Sequence, residues 1–189
     1  MKYIEDSKTT LGFWIYLMTD CVLFASLFAT FAVLRNNTFG GPGGNELFSL
    51  PFVLLETLIL LISSFVCGLA VVSARKQQKD RVIRLLVATV VLGLMFIGLE
   101  INEFRELAAE GNDWQRSAFL SSFFTLVGTH GLHICLGLLW ASFLIVRLST
   151  SKLTGTTVKR LFLFSLFWHF LDIVWIFIFT IVYLMGALS

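Results

Sequence analysis

Charged residues are scarce in this sequence, since Asp, Glu, Lys and Arg make up only 14% of its 189 residues. Soluble domains contain about a quarter charged residues, so this scarcity argues against a water-soluble globule. Proline is also rare, with two residues, and long stretches therefore lack a helix breaker. The formal net charge is only +2, without a basic arm. The composition argues against nucleic acid as a partner, because binding to phosphates needs concentrated positive charge.

Cysteine is limited to Cys21, Cys67 and Cys135, which all lie inside apolar stretches. This placement predicts small packing residues rather than disulfides or metal ligands. Hydrophobic residues take the place of the missing polar ones, at 57% of the chain with a mean hydropathy of +0.87. These values are typical of a protein embedded in a membrane.

Five apolar stretches are long enough to cross a bilayer, which requires about 20 mostly apolar residues. Backbone polar groups cannot stay unpaired in lipid, so such stretches must be helices. The predicted helices cover residues 11–34, 51–74, 82–102, 118–147 and 160–186. Helix starts are indicated by Thr10, by Pro51 in a first turn and by Ser117. The sequence therefore predicts an all-α integral membrane protein, a five-transmembrane-helix bundle forming a single membrane domain over residues 1–189.

Lysine and arginine are divided unequally between the two ends of these helices. Eleven lie in the N-terminal tail, between helices two and three, and between helices four and five, including the helix flanks. Only Arg35, Arg105 and Arg116 lie on the opposite side. By the positive-inside rule, we expect a cytoplasmic N-terminus and a C-terminus outside.

The connections on the predicted outer side differ in composition from the Lys- and Arg-rich ones on the opposite side. Residues 36–45 form a Gly-rich loop that lacks the GK[ST] ending of a phosphate-binding loop. The acidic segment 103–116 is interpreted as a solvated connection. Trp14 and Tyr183 lie where aromatic anchors at the membrane interface are expected.

Ionisable residues within the apolar stretches are the strongest functional signal in the chain. Such groups are costly in lipid and normally face partners inside a bundle. Two pairs of them are three residues apart, His130 with His133 in helix four and His169 with Asp172 in helix five. Helical spacing places the two members of each pair on the same helix face. The seven residues are Asp20, Glu56, Glu100, His130, His133, His169 and Asp172.

These residues leave several interpretations open. Three histidines with carboxylates could hold a di-metal centre or a haem, or His130 and His133 could form hydrogen bonds that lock helix packing. A proton relay through Asp20, His169 and Asp172 is a further possibility, against a set of paired carboxyls that conducts nothing. Close helix contacts are predicted where small residues are spaced four apart, at Ser64 with Gly68 and at Gly137 with Ala141.

Two sequence motifs resemble a known family. Helix four contains GTHGLH at 128–133, and helix five contains FWHFLDIVW at 167–175. Together they resemble subunit III of the haem-copper terminal oxidases. Further similar stretches are residues 12–20, Pro51 with Glu56, and 98–104. The resemblance covers nearly the whole chain and is greatest to the bacterial ubiquinol-oxidising branch, whose subunit III has five helices.

The resemblance implies an accessory subunit without a catalytic centre, bound metal or redox cofactor of its own. Haems and copper would belong to subunit I, the direct partner, in a complex that also contains subunits II and IV. This complex of the bacterial inner membrane would reduce oxygen to water and translocate protons, with the C-terminus of this chain periplasmic. The alternatives are subunit III of a cytochrome c-type oxidase, or a small transporter or channel that uses the buried Asp and His residues.

The resemblance also suggests roles for individual residues. Asp20 occupies the position of a buried Glu that is associated in relatives with support of proton uptake. Arg147 matches an Arg that contacts a phospholipid headgroup, and a guanidinium fork suits a phosphate. Glu56, Glu100, His130, His133, His169 and Asp172 would be buried packing residues.

Overall fold

The computed structural model of the chain describes residues 2–38, 40 and 50–188, with side chains from residue 8 to residue 187 within those ranges. Most of the predicted Gly-rich loop lies outside these residues. The long helices are α1 (Lys2–Leu34), α2 (Leu50–Arg75), α3 (Lys79–Ala109), α4 (Ala118–Thr150) and α5 (Gly155–Ile178). The described part of the chain thus has five helices that are long and apolar enough to cross a membrane. The predicted all-helical class is confirmed.

The helix connections alternate between the two ends of the bundle. At one end, Lys79 Nζ donates a hydrogen bond of 3.3 Å to the carbonyl oxygen of Ser149. At the other end, the backbone N–H of Phe119 donates to the carbonyl oxygen of Asn37 at 3.3 Å. Consecutive helices are therefore antiparallel.

Capping side chains determine where α4 and α5 begin. The Ser117 side chain accepts a hydrogen bond from the backbone N–H of Leu120, which satisfies one of the unpaired donors of the first turn. Thr154 does the same for Thr157. The predicted start of α4 is confirmed, but α5 begins at Gly155 rather than at residue 160. Likewise, α1 begins at Lys2 rather than beyond Thr10, and α2 contains Pro51 in its first turn.

The end of α3 corrects the prediction of a solvated segment over residues 103–116. The helix continues to Ala109 and ends in a Schellman motif, with Asn112 N–H bonded to the Leu107 carbonyl and Gly111 N–H to that of Ala108. Gly111 adopts φ +77°, which a glycine accommodates without a Cβ clash. Glu103 lies inside the helix and is buried.

α5 lies at the centre of the bundle and contacts α1, α2 and α4. Its Trp168 and Trp175 side chains are buried almost completely. Glycines on the neighbouring helices make room for this aromatic face. A Cβ at Gly137 would lie 2.8 Å from Trp168 Cζ3, and one at Gly93 would lie 3.0 Å from Trp168 Cη2. The predicted close contact at Gly137 is confirmed.

The chain after α5 continues as a π-helical turn, Phe179–Leu184, followed by a short α6, Met185–Leu188. The wider turn changes which side chains face the bundle. Tyr183 is fully buried, so the prediction that it anchors the membrane interface is wrong. Trp14, by contrast, is 46% exposed on α1.

Candidate functional site

Asp20 and His133 form the closest pairing of opposite charge types inside the bundle. His133 Nε2 on α4 lies 3.8 Å from Asp20 Oδ1 on α1. The other ring nitrogen, Nδ1, lies 2.7 Å from the carbonyl oxygen of Thr129. A carbonyl oxygen only accepts, so Nδ1 carries the hydrogen of this bond. Nε2 then faces the Asp20 carboxyl at an ion-pair distance, beyond the range of a direct hydrogen bond.

His130 lies on the same helix in a different environment. Its ring stacks on Trp175 with a centroid distance of 5.2 Å and meets the Phe96 ring edge-on at 6.0 Å. The ring is fully buried, and neither nitrogen has a hydrogen-bond partner among the described residues. The hydrogen bonds considered for His130 are therefore not formed within the described residues. The side chain acts as an aromatic ring in the core.

His169 and Asp172 on α5 face α2 through a shared serine. His169 Nδ1 lies 2.6 Å from Ser64 Oγ. Asp172 interacts with the same hydroxyl and electrostatically with His169. A Cβ at Gly68 would lie 3.7 Å from His169 Nε2, so the small residues predicted at positions 64 and 68 do face this helix. The trio fixes α5 against α2.

Two tryptophans extend this contact along the helix pair. Trp168 Nε1 donates to Ser63 Oγ at 3.2 Å, and Trp175 Nε1 donates to Thr57 Oγ1 at 3.0 Å. The donor later in the chain, Trp175, bonds to the acceptor earlier in the chain, Thr57, as antiparallel helices require. Buried indole N–H groups need such acceptors, so these hydrogen bonds fix the register of α5 on α2.

A group of three acidic residues lies at the end of the α2–α3 pair that is remote from the α2–α3 connection. It consists of Glu56, near the start of α2, and of Glu100 and Glu103, near the end of α3. The three carboxyls interact electrostatically with one another. Tyr183 donates a hydrogen bond of 2.8 Å to Glu103 Oε2. A Cβ at Gly131 on α4 would lie 2.8 Å from Glu100 Oε2, so the missing side chain there accommodates this carboxyl.

Sequence reasoning missed two members of this group, Glu103 and Tyr183. A signal for Glu103 was present, because the buried residues of α3 alternate in spacing between four and three. That series is Val82, Leu86, Thr89, Gly93, Phe96, Glu100, Glu103 and Leu107. The pattern is a heptad-like stripe, and extending it past residue 102 predicts a buried Glu103. Tyr183 had no such signal because the π-helical turn breaks the usual period.

The residues proposed for a proton relay do not form one chain of contacts. Asp20 pairs with His133 on α4, while His169 and Asp172 interact with Ser64 on α2. No recorded interaction among the described residues joins the two groups.

The three histidines do not converge on one site in the described part of the chain. No group of three or more His, Cys, Asp or Glu within the described ranges has the geometry to hold a metal ion. The three histidines have separate environments: an aromatic cage for His130, Asp20 for His133 and Ser64 for His169. A shared metal centre would require them to converge.

Arg147 lies in the last turn of α4, at the end where Lys79 meets Ser149. Its side chain is exposed. No partner for its guanidinium is recorded in the part of the chain that the structure describes. The group is free to bind a ligand from the surroundings.

Comparison with known proteins places this architecture in a family. Residues 5–187 match the family described as cytochrome c oxidase subunit III. Cytochrome bo(3) ubiquinol oxidase subunit 3 of Pseudomonas aeruginosa is 61% identical over 184 residues, which cover 97% of this chain and 88% of the relative. Quinol oxidase subunit 3 of Bacillus subtilis is 49% identical over 188 residues, or 98% and 92% of the two chains.

A relative with a different electron donor in its name is also similar. Cytochrome c oxidase subunit 3 of Bacillus sp. strain PS3 is 45% identical over 186 residues, which cover 98% of this chain and 90% of that one. The resemblance seen in the motifs of helices four and five is thus confirmed over almost the full length. The chain belongs to the cytochrome c oxidase subunit III family.

Proposed function

We propose that this multi-pass membrane protein is the accessory third subunit of a bacterial ubiquinol oxidase that reduces oxygen to water and translocates protons. The observation that carries the proposal is the 61% identity, over 97% of the chain, to a relative named cytochrome bo(3) ubiquinol oxidase subunit 3. Its role is to stabilise the complex, with subunit I as direct partner and subunits II and IV completing the assembly. Haems and copper belong to subunit I.

The internal contacts support a structural role. Helix positions are fixed by hydrogen bonds from Trp168, Trp175 and Tyr183, and His130 packs as a ring. These residues are used for packing among the helices of this chain rather than for holding a redox group. Electron transfer therefore takes place in the partner subunits.

Affinity purification of the tagged chain from its native membrane tests the proposal. We expect a larger haem-containing subunit to co-purify and the complex to oxidise ubiquinol with uptake of oxygen. A colourless preparation without a larger partner would contradict the proposal and favour a transporter or channel. Reconstituted vesicles would then be assayed for ion flux that depends on Asp20, His169 and Asp172.

Cytochrome c is the second candidate electron donor, because the relative from strain PS3 is named a cytochrome c oxidase subunit. The same purified complex distinguishes the two donors. Oxidation of ubiquinol but not of reduced cytochrome c supports the quinol assignment. A partner subunit with a copper-binding Cys and His set, together with cytochrome c oxidation, would overturn it.

We further propose that Asp20 supports proton uptake by the complex. The support is its buried position inside the bundle, 3.8 Å from Nε2 of the His133 imidazole. Its Oδ2 atom is buried and has no hydrogen-bond partner among the described residues, so one acceptor of the carboxyl is unused inside the bundle.

Arg147 is proposed to bind a phospholipid headgroup. Its exposed guanidinium lies in the last turn of α4, at the end of the bundle that carries most of the Lys and Arg residues. Basic sites at the cytoplasmic ends of helices commonly bind lipid phosphate. This assignment requires an N-terminus in the cytoplasm and a periplasmic C-terminus in the inner membrane. Cysteine labelling from each side of intact vesicles tests that orientation.

A further inference from the structure

The cluster formed by Glu56, Glu100 and Glu103 has no part in the function proposed above. Glu56 comes from α2, and the other two come from successive turns of α3. Their exposed fractions are only 0%, 3% and 8%. Three acidic side chains from two helices therefore lie in the interior, where they interact electrostatically with one another.

These carboxyls lack the partners that buried polar groups require. Both oxygens of Glu56 and Oε1 of Glu100 have no hydrogen-bond partner among the described residues. The one ion pair recorded in those residues joins His133 to Asp20, so no Lys or Arg there pairs with the cluster. Burying a carboxyl without a partner is costly, and nearly all buried polar groups in proteins have one.

The other titratable groups near the cluster do not supply a cation. Tyr183 from the π-helical turn donates its hydroxyl to Glu103. Cys135 on α4 interacts with Glu100, and Glu106 at the outer end of α3 interacts with Glu103. Each of these groups is neutral or negative, so none balances the charge of ionised carboxylates.

The chemistry of the three acids specifies what is missing. An ionised carboxylate only accepts hydrogen bonds, whereas a neutral carboxylic acid also donates one. Buried carboxyls without a protein partner therefore need another donor, either a proton on a carboxyl or a water molecule. Buried waters typically make about three hydrogen bonds to groups that would otherwise be unpaired. A metal ion is not indicated, because the described residues offer no suitable ligand geometry.

The backbone of α4 accommodates the Glu100 carboxyl of this cluster. Gly131 lies so close to the cluster that a Cβ there would be 2.8 Å from Glu100 Oε2 and 3.0 Å from Oε1. The absence of a side chain on α4 lets the carboxyl lie against the helix backbone. Any larger residue at position 131 would displace Glu100 from its present position.

We propose that Glu56, Glu100 and Glu103 form a buried site that binds water and shares at least one proton among the three carboxyls. Tyr183 orders the site through Glu103, and Gly131 provides the room for Glu100. The inference concerns this chain alone and does not depend on which electron donor its complex uses. Exchange with bulk water occurs past the exposed end of α3, where Glu106 lies one turn beyond Glu103.

Infrared spectroscopy of the purified membrane complex tests this proposal. We expect a carbonyl-stretch band from protonated carboxylic acid that shifts when the complex is equilibrated in D2O. Glu56→Gln and Glu100→Gln should each remove part of that band. Glu106→Gln is the matched control on α3, because position 106 is exposed and the glutamine side chain still offers an oxygen that accepts from Asn102 Nδ2. This substitution should leave the band unchanged.

Two outcomes would overturn the proposal. One is a band unaffected by both cluster substitutions, and the other is a cluster band that does not shift in D2O. If the variants fail to assemble, a high-resolution density map of the wild-type complex provides the test. Ordered water between Glu56 and Glu100 is expected, and dry apolar packing there would contradict the proposal. The haem spectrum of the same sample reports separately on the proposed function.

Discussion

The Tyr183 hydroxyl donates a 2.8 Å hydrogen bond to Glu103 Oε2, joining the π-helical turn after α5 to the C-terminal part of α3. Both side chains are buried. The π-helical turn brings Tyr183 inward at a point where the sequence suggested a membrane-interface anchor. This contact connects the end of the chain to the cluster of carboxyls between α2 and α3.

Tyr183→Phe should destabilise the protein by about 1–3 kcal/mol, because it removes the donor and leaves a buried carboxyl unpaired. Thermal unfolding of the purified complex, followed by loss of this subunit, measures the change. Glu103→Gln is the control, since its side-chain carbonyl still accepts from Tyr183, and its effect should be smaller. Equal stability of Tyr183→Phe and wild type would show that the contact contributes nothing.

Gly93→Ala should destabilise the bundle by about 1–3 kcal/mol through overpacking. The added methyl group would lie 2.8 Å from Leu138 Cδ2 and 3.0 Å from Trp168 Cη2. Gly98→Ala on the same helix is the control, because no atom lies within 4 Å of the added Cβ. Retention of the subunit during heating in detergent compares the two variants. A greater loss from Gly98→Ala would indicate that this surface contacts another subunit.

His130→Ala should reduce assembly of the complex, since removing a buried aromatic ring costs about 3–5 kcal/mol. His130→Phe should assemble better than His130→Ala, because it keeps a ring beside Trp175 and Phe96. It also removes two ring nitrogens that have no hydrogen-bond partner among the described residues. Metal analysis should find unchanged haem and copper in whatever complex assembles. Loss of one metal per assembled complex would instead make His130 a ligand.

Asp20→Asn should slow turnover mildly without abolishing it, because the amide keeps the size of the side chain but cannot take up or release a proton. Oxygen consumption by the intact purified complex measures the effect. Thr19→Ala is a control one residue away, since Thr19 bonds only its own helix through the Tyr16 carbonyl. Complete loss of activity in intact Asp20→Asn enzyme would show a direct catalytic role.

The helical architecture could be predicted from the sequence because lipid imposes strong constraints. Long apolar stretches in a membrane must pair their backbone groups internally, so the number and type of the helices follow from hydropathy. Burial of Asp20, Glu56, Glu100, His130 and Asp172 followed from the cost of exposing such groups to lipid. The GTHGLH and FWHFLDIVW motifs also indicated the family, because they combine glycine, histidine and tryptophan at specific spacings.

Partner choice within the bundle was decided by the tertiary structure. Helical periodicity places residues on a face, but it does not say which helix packs there. His130 and His133 are three residues apart, yet one stacks on Trp175 and the other pairs with Asp20. The burial of Tyr183 depends on a π-helical turn, whose altered period no local pattern in the sequence reveals. Apolar length and buried charge were thus determined by the sequence itself, whereas the pairing of those charges arose only from how the five helices pack against one another.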